Sequence, residues 1–128
     1  MKTYLAILLL LLPAPSLADN RCMETAISDP EIIKCASQQL DRAETALSTT
    51  YKATLAKLDR LVSDGDEGAM DAKKHLIIAQ EKWEAFRQSD CDVVFFVNVH
   101  GSIRIPETIK CMADHAAQRN EQLQQIFD

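Results

Sequence analysis

Few residues in this chain could do chemistry. Cysteines stand at Cys22, Cys35, Cys91 and Cys111, histidines at His75, His100 and His115, and the acidic run SDGDEG carries Asp64, Asp66 and Glu67, with Asp71 just beyond. No two cysteines form a C-x-x-C pair, so a zinc knuckle or a thioredoxin-type motif has no support. The histidines lack H-x-x-x-H spacing, and the serines lack the G-x-S-x-G setting of an activated nucleophile. DGDEG hints at calcium, but Leu76 or Ile77 stands where an EF-hand loop needs its terminal glutamate. These patterns argue for a protein that is not an enzyme and that uses no metal or cofactor. What stands out is WEAFRQSDC, Trp83 to Cys91, which sets the only tryptophan, an arginine and a cysteine one helical turn apart from one another.

The compartment decides how the cysteines are read. MKTYLAILLLLLPAPSLADN has the form of a secretory leader: Lys2 gives a positive start, Tyr4 to Leu12 an apolar stretch, and Ser16-Leu17-Ala18 a small-x-small cleavage box. The apolar stretch is too short for a bilayer core of ~30 Å, and Pro13 and Pro15 close it. The expectation is a signal peptide over 1–18 and one exported domain over 19–128, periplasmic or secreted and soluble. Asp19, Asn20 and Arg21 separate Ala18 from Cys22, which argues against a lipid or other membrane anchor. Losing Lys2 with the leader would take the formal net charge from −5 to −6. Such a balance disfavours nucleic acid and anionic membranes, and favours cationic partners. Four cysteines in an exported chain point to disulfides; three connectivities are allowed, and the local one, Cys22–Cys35 with Cys91–Cys111, is expected.

Helices must position these residues. Ala36, Leu40, Ala43, Leu47, Tyr51, Thr54 or Leu55, Leu58, and Leu61 or Val62 recur in steps of three and four, which predicts one amphipathic face over about 30–62. Asp29-Pro30-Glu31 supplies the start and the SDGDEG run the stop. A second stripe follows through Ala72, Leu76, Ala79, Trp83, Phe86, Asp90 and Val94. VVFFVNV resembles a strand, yet no second strand offers itself as partner, so the helix is expected to continue to about Asn98 and end at Gly101. After GSIRI, Pro106 opens a third helix whose stripe is Met112, Ala116, Arg119, Leu123 and Ile126 or Phe127. The expected fold class is all-α: an antiparallel three-helix bundle, two helices long and the third shorter, stapled by disulfides.

Placed on these helices, AQEKWEAFRQSDC, the Gly-Ser loop, and the later cysteine followed by HAAQRNEQL resemble the LprI-type lysozyme-inhibitor family of small exported helical proteins. Gln80, Trp83, Phe86, Arg87 and Cys91 match the second-helix signature, Cys111, Arg119 and Leu123 the third-helix part, and Cys22 with Cys35 the amino-terminal pair. At His115 the chain departs from the pattern, which has a threonine before the arginine. The resemblance implies a protein partner, lysozyme or a related peptidoglycan hydrolase. An envelope interaction or stress-related module with another partner is the alternative.

Two groups of site residues follow. Trp83, Phe86 and Leu123 fall on the stripes and are expected in the core. Arg87 and Arg119 are expected to lay their stems on that core and meet carboxylates, with Asp41, Glu44 or Asp114 as the choices for Arg87; an anion-binding Arg87–Arg119 pair is the rival reading. The WEAFRQSDC segment is thus a clamp between helices. The loop VNVHGSIRIP presents His100, Ser102 and Arg104 as the candidate partner-binding residues. If the resemblance holds, Arg104 with Ser102 would suit the paired carboxylates of a lysozyme cleft, and the acidic face of the long helices is the other contact surface.

Overall fold

A computed structural model describes residues 17–127. Four helices run in order: α1 Leu17–Thr25, α2 Asp29–Ser63, α3 Ala69–Val97 and α4 Arg104–Gln124, with a 3-10 turn at Gln125–Phe127. The long helices are the expected antiparallel bundle. Helix α1 is an addition to it, a nine-residue piece ahead of α2 that the apolar stripes did not announce. The leader up to Ser16 lies outside the described residues. No described helix is long and apolar enough to cross a membrane.

Local chemistry sets the ends of α2. Ser28 is its N-cap and Pro30 sits in the first turn, one position later than expected from Asp29 as cap. The Glu31 carboxylate accepts from the backbone N–H of Ile27 at 3.0 Å, from that of Ser28 at 3.1 Å and from the Ser28 hydroxyl at 2.9 Å. At the other end Gly65 adopts φ 81°, Gly65 N–H donates to Val62 O and Asp66 N–H to Leu61 O. These paired bonds form a Schellman stop, which needs the left-handed residue that glycine supplies at no steric cost.

The core is Leu47, Leu58, Leu76, Ala116 and Leu123, with Tyr51, Leu55, Leu61, Trp83 and Phe127 packed around it. In α2 the buried set Cys35, Ala36, Leu47, Thr54 and Leu58 follows the expected stripe. Helix α4 lies along α2 more extensively than α3 does, and it buries Pro106, Ala113, Ala116 and Leu123. Of the two residues offered for the end of its stripe, Phe127 is half-buried and Ile126 exposed.

Helix α3 departs from its expected face. Leu76, Gln80 and Cys91 are buried and Trp83 and Arg87 half-buried, whereas Ala79 is exposed and Phe86 is 57% exposed. The placement of Phe86 in the core is therefore corrected. The inward set 76, 80, 83, 87, 91 includes a glutamine and an arginine, so a stripe chosen by apolarity steps aside to Ala79 and Phe86. The true face is rotated by one residue at those two levels.

Candidate functional site

Successive turns of α3 build the inter-helix seam. At its middle, Arg87 Nη1 donates to Glu44 Oε1 of α2 at 3.0 Å, and the guanidinium lies 4.9 Å from the Trp83 ring centroid. The Arg87 side chain is 18% exposed and that of Glu44 46%, so the ion pair is partly screened and contributes about 1 kcal/mol or less. Stacking on the indole contributes a similar ~0.5–1 kcal/mol. Glu44 is one of the three carboxylates offered by the sequence; Asp41 and Asp114 are not the partner. A cleft of about 190 Å³ opens beside this level, lined by Glu44, Ser48, Tyr51, Gln80, Trp83 and Glu84 among others.

One level deeper, Arg119 of α4 donates from Nε to Gln80 Oε1 at 3.2 Å and from Nη1 to Gln122 Oε1 at 3.2 Å. Among the described residues no carboxylate pairs with it. Burial accordingly pushes its pKa down, with Tyr51 opposing the shift. Each guanidinium thus has its own neutralising or polar partners, and the two do not form an anion-binding pair. Gln80 is the residue that sequence reasoning undervalued. It is buried, and the one signal in the sequence was a polar side chain spaced one turn before Trp83; that it accepts from Arg119 emerges from the packing of α4 on α3.

Further along the seam, the Cys91–Cys111 disulfide joins α3 to α4 with Cα atoms 5.7 Å apart, and Cys91 is 0% exposed. His115, one turn after Cys111, meets Asp90 of α3 through Nε2 and Oδ2 at 2.7 Å. The Phe86 ring stands edge-on to the imidazole, centroids 5.5 Å apart. So Phe86, although exposed, roofs the histidine. The second disulfide, Cys22–Cys35, ties α1 to the first turns of α2, which in the antiparallel bundle lie toward the tip end of α3.

The disulfide braces the tip between α3 and α4. Asn98 caps α3 by donating from Nδ2 to Val94 O at 2.8 Å, and Gly101 N–H donates to Asn98 O at 2.9 Å. His100 and Ser102 are exposed, as a contact role requires. Arg104 is exposed as well, but it has partners within the chain. It is the first residue of α4, its Nη1 donates to Val99 O at 3.0 Å, and its guanidinium lies 5.6 Å from the Phe95 ring. It closes the loop onto the C-terminus of α3, where a cation is favoured. Around it, Val93, Phe96, Val97, Ile103 and Ile105 are exposed apolar side chains.

The model of the family described as lysozyme inhibitor LprI matches residues 22–123, from the first disulfide cysteine to the last buried leucine of α4. This chain belongs to the LprI lysozyme-inhibitor family. A relative described as an uncharacterized protein of Rhizobium meliloti (strain 1021) is 27% identical over 106 residues, which span 80% of this chain and 76% of the relative. No solved structure matches. The matched LprI segment contains both disulfides, the Trp83–Arg87 clamp and the whole tip.

Proposed function

We propose that this LprI-family protein is exported and inhibits a lysozyme by occlusion: one molecule seats on the enzyme, covers its cleft and catalyses nothing. Family membership supports the partner class, and the leader supports export. The single observation that carries the docking surface is an apolar cap on a braced base. Phe96 and Val97, 67% and 77% exposed, stand with Ile103 at the end of two helices locked together by Cys91–Cys111. Apolar side chains clustered on a monomer's surface mark an interaction site more often than isolated ones do. A stiff loop also lowers the ordering cost of association.

Arg104 takes a different role here from the one its charge suggested. Committed to Val99 O and Phe95, it shapes the loop, while His100 and Ser102 supply the polar rim beside the apolar cap. The formal net charge, −5 for the full chain and −6 without the leader, assists encounter with a cationic enzyme at long range.

The test is a titration of the exported protein into a lysozyme acting on cell-wall substrate. Lysis should fall saturably and end near one equivalent. Phe96→Asp with Val97→Asp should weaken inhibition about thirtyfold or more, the scale of a ~2 kcal/mol hot spot, with helix content unchanged. If instead Glu44→Gln with Glu84→Gln weakens it and the tip variant does not, docking moves to the acidic face. No inhibition of several lysozyme types at high micromolar protein would sink the reading and leave an envelope module with another partner.

A further inference from the structure

The two disulfides differ in what surrounds them, and the surroundings of Cys91–Cys111 are those of a metal centre. The Sγ atoms of Cys91 and Cys111 and a ring nitrogen of His115 all lie within 4.8 Å of one another. Cys111 and His115 stand one turn apart on α4, so both face the same way toward Cys91 on α3. The Asp90 carboxylate holds the His115 ring through Nε2 at 2.7 Å, and Phe86 packs on its edge. Among the described residues no such set of metal-ligating side chains gathers at the other pair, where the Gln38 amide oxygen lies 3.8 Å from Cys22 Sγ.

We infer that Cys91, Cys111 and His115 form a binding site for a thiophilic divalent cation, zinc above all, when the Cys91–Cys111 bond is reduced, with Asp90 as the positioning residue for His115. Two thiolates and an imidazole are the donors that zinc prefers. Zinc–sulfur bonds of ~2.3 Å place neighbouring ligand atoms about 3.8 Å apart in a tetrahedron, so the imidazole starts no more than about 1 Å too far from either sulfur, while the two sulfurs must part by ~2 Å once their bond is reduced. An imidazole whose second nitrogen is held by a carboxylate is the ordinary support for a metal-bound histidine. A solvent molecule takes the fourth position.

The chemistry balances with a dithiol as reductant. Its thiolate attacks Sγ of Cys111, the half-buried member of the pair, and Cys91 leaves as a thiolate beside His115. The second thiol of the reductant then displaces Cys111 and closes the reductant's own disulfide, so two electrons pass to the protein. The cation takes both sulfurs as thiolates, and the protons they carried go to solvent. The ion then does the work of the lost bond: it ties α3 to α4 beneath the tip, so the tip stays closed in reducing surroundings.

The test reduces the full chain anaerobically and titrates it with cobalt(II), then displaces cobalt with zinc, recording absorption and circular dichroism together. The expected result is one equivalent bound, with a thiolate charge-transfer band and the intense visible bands of tetrahedral cobalt, and none in the oxidised protein. Cys22→Ser with Cys35→Ser should keep the site and Cys91→Ser with Cys111→Ser should abolish it. His115→Ala should bind cobalt at least tenfold more weakly, and Asp90→Asn roughly 10–100-fold more weakly. Three results overturn the inference: no charge-transfer band, a band that survives His115→Ala at unchanged affinity, or a band that needs Cys22 and Cys35. Should reduction melt the helices, restoration of the dichroism by zinc in wild type but not in His115→Ala supports it, and failure to restore overturns it.

Discussion

Both disulfides span 5.7 Å between Cα atoms, and both close short loops, of 13 and 20 residues, yet they hold different things. Chain-entropy reasoning alone gives each roughly 3 kcal/mol and separates them by only a few tenths. Their neighbours separate them further. Cys22–Cys35 tethers a nine-residue helix to α2: Cys35 is itself buried, but Cys22 is half-buried and the exposed residues Thr25 and Gln38 stand beside it. Cys91–Cys111 lies inside the α3–α4 seam, with Cys91 fully buried and His115, Asp90 and Phe86 around it. The first is a tether and the second a part of the packing. A disulfide's consequence is therefore read from what its loss would loosen, not from loop length.

The largest effect should come from breaking each staple in turn. Replacing Cys91 and Cys111 by alanine should cost about 3–5 kcal/mol in urea unfolding, the entropic part plus the buried sulfur contacts, and should abolish inhibition with it. Replacing Cys22 and Cys35 should cost about 2–3 kcal/mol and weaken inhibition less, because α1 packs on α2 alone and does not hold α3 to α4, although it lies at the same end of the bundle as the tip. Equal losses of stability and activity in the two variants would show that the tether and the packed staple are not distinct.

A second pair sharpens the contrast inside α3. Trp83→Ala removes a half-buried ring that packs on the core and carries Arg87, and should cost about 2–4 kcal/mol. Phe86→Ala, three residues on, removes an exposed ring and should cost under ~1 kcal/mol. If the two costs are alike, the assignment of the inward face of α3 is wrong.

That face also shows how far the sequence could be read. The α2 stripe was legible from Ala36 to Leu61 because nearly every inward position is apolar, and the ends of α2 were legible from Pro30 and Gly65. The local disulfide pairing was one of three connectivities the cysteines allowed, and the Arg87 clamp was legible with its carboxylate left open among three. Phe86 went astray because α3 spends two inward positions on Gln80 and Arg87, whose burial depends on Arg119 and Glu44 from other helices. Periodicity along one segment carries no information about partners 39 and 43 residues away. His115 was passed over for the same reason, since Asp90 lies 25 residues earlier. The bond from Arg104 to Val99 O was not legible either, because a charge in a loop looks free until the carbonyl that receives it is known.

The Asp90–His115 contact allows a finer cut at the packed staple. Removing each partner and both, by alanine, closes a double-mutant cycle. With side chains 48% and 16% exposed, the coupling should be about 0.5–1 kcal/mol in the oxidised protein. A coupling near zero would mean that the pair contributes nothing while the disulfide stands.

The smallest effect belongs to the tether end, and it is read through pH. The Glu31 carboxyl titrates below its ordinary value of 4.5, chiefly because the Ile27 N–H donates to it, then because the Ser28 hydroxyl does. A carboxyl whose folded pKa is depressed binds fewer protons in the folded state than in the unfolded one. Its contribution is therefore complete above 4.5 and is lost as pH falls through the lower folded value. The loss should be local, since these bonds fix the turn between α1 and α2 and no part of the seam. Amide exchange at Ile27 and Ser28 should accelerate in Glu31→Gln at neutral pH, and in wild type only as pH falls below 4.5, after correction for intrinsic rates. Exchange at Cys91 and Ala116 should not respond in either case, because both are fully buried in the seam that the tether does not touch. A matching acceleration there would couple the α1–α2 turn to the seam, and the distinction between tether and packed staple would fail at the place where it predicts independence.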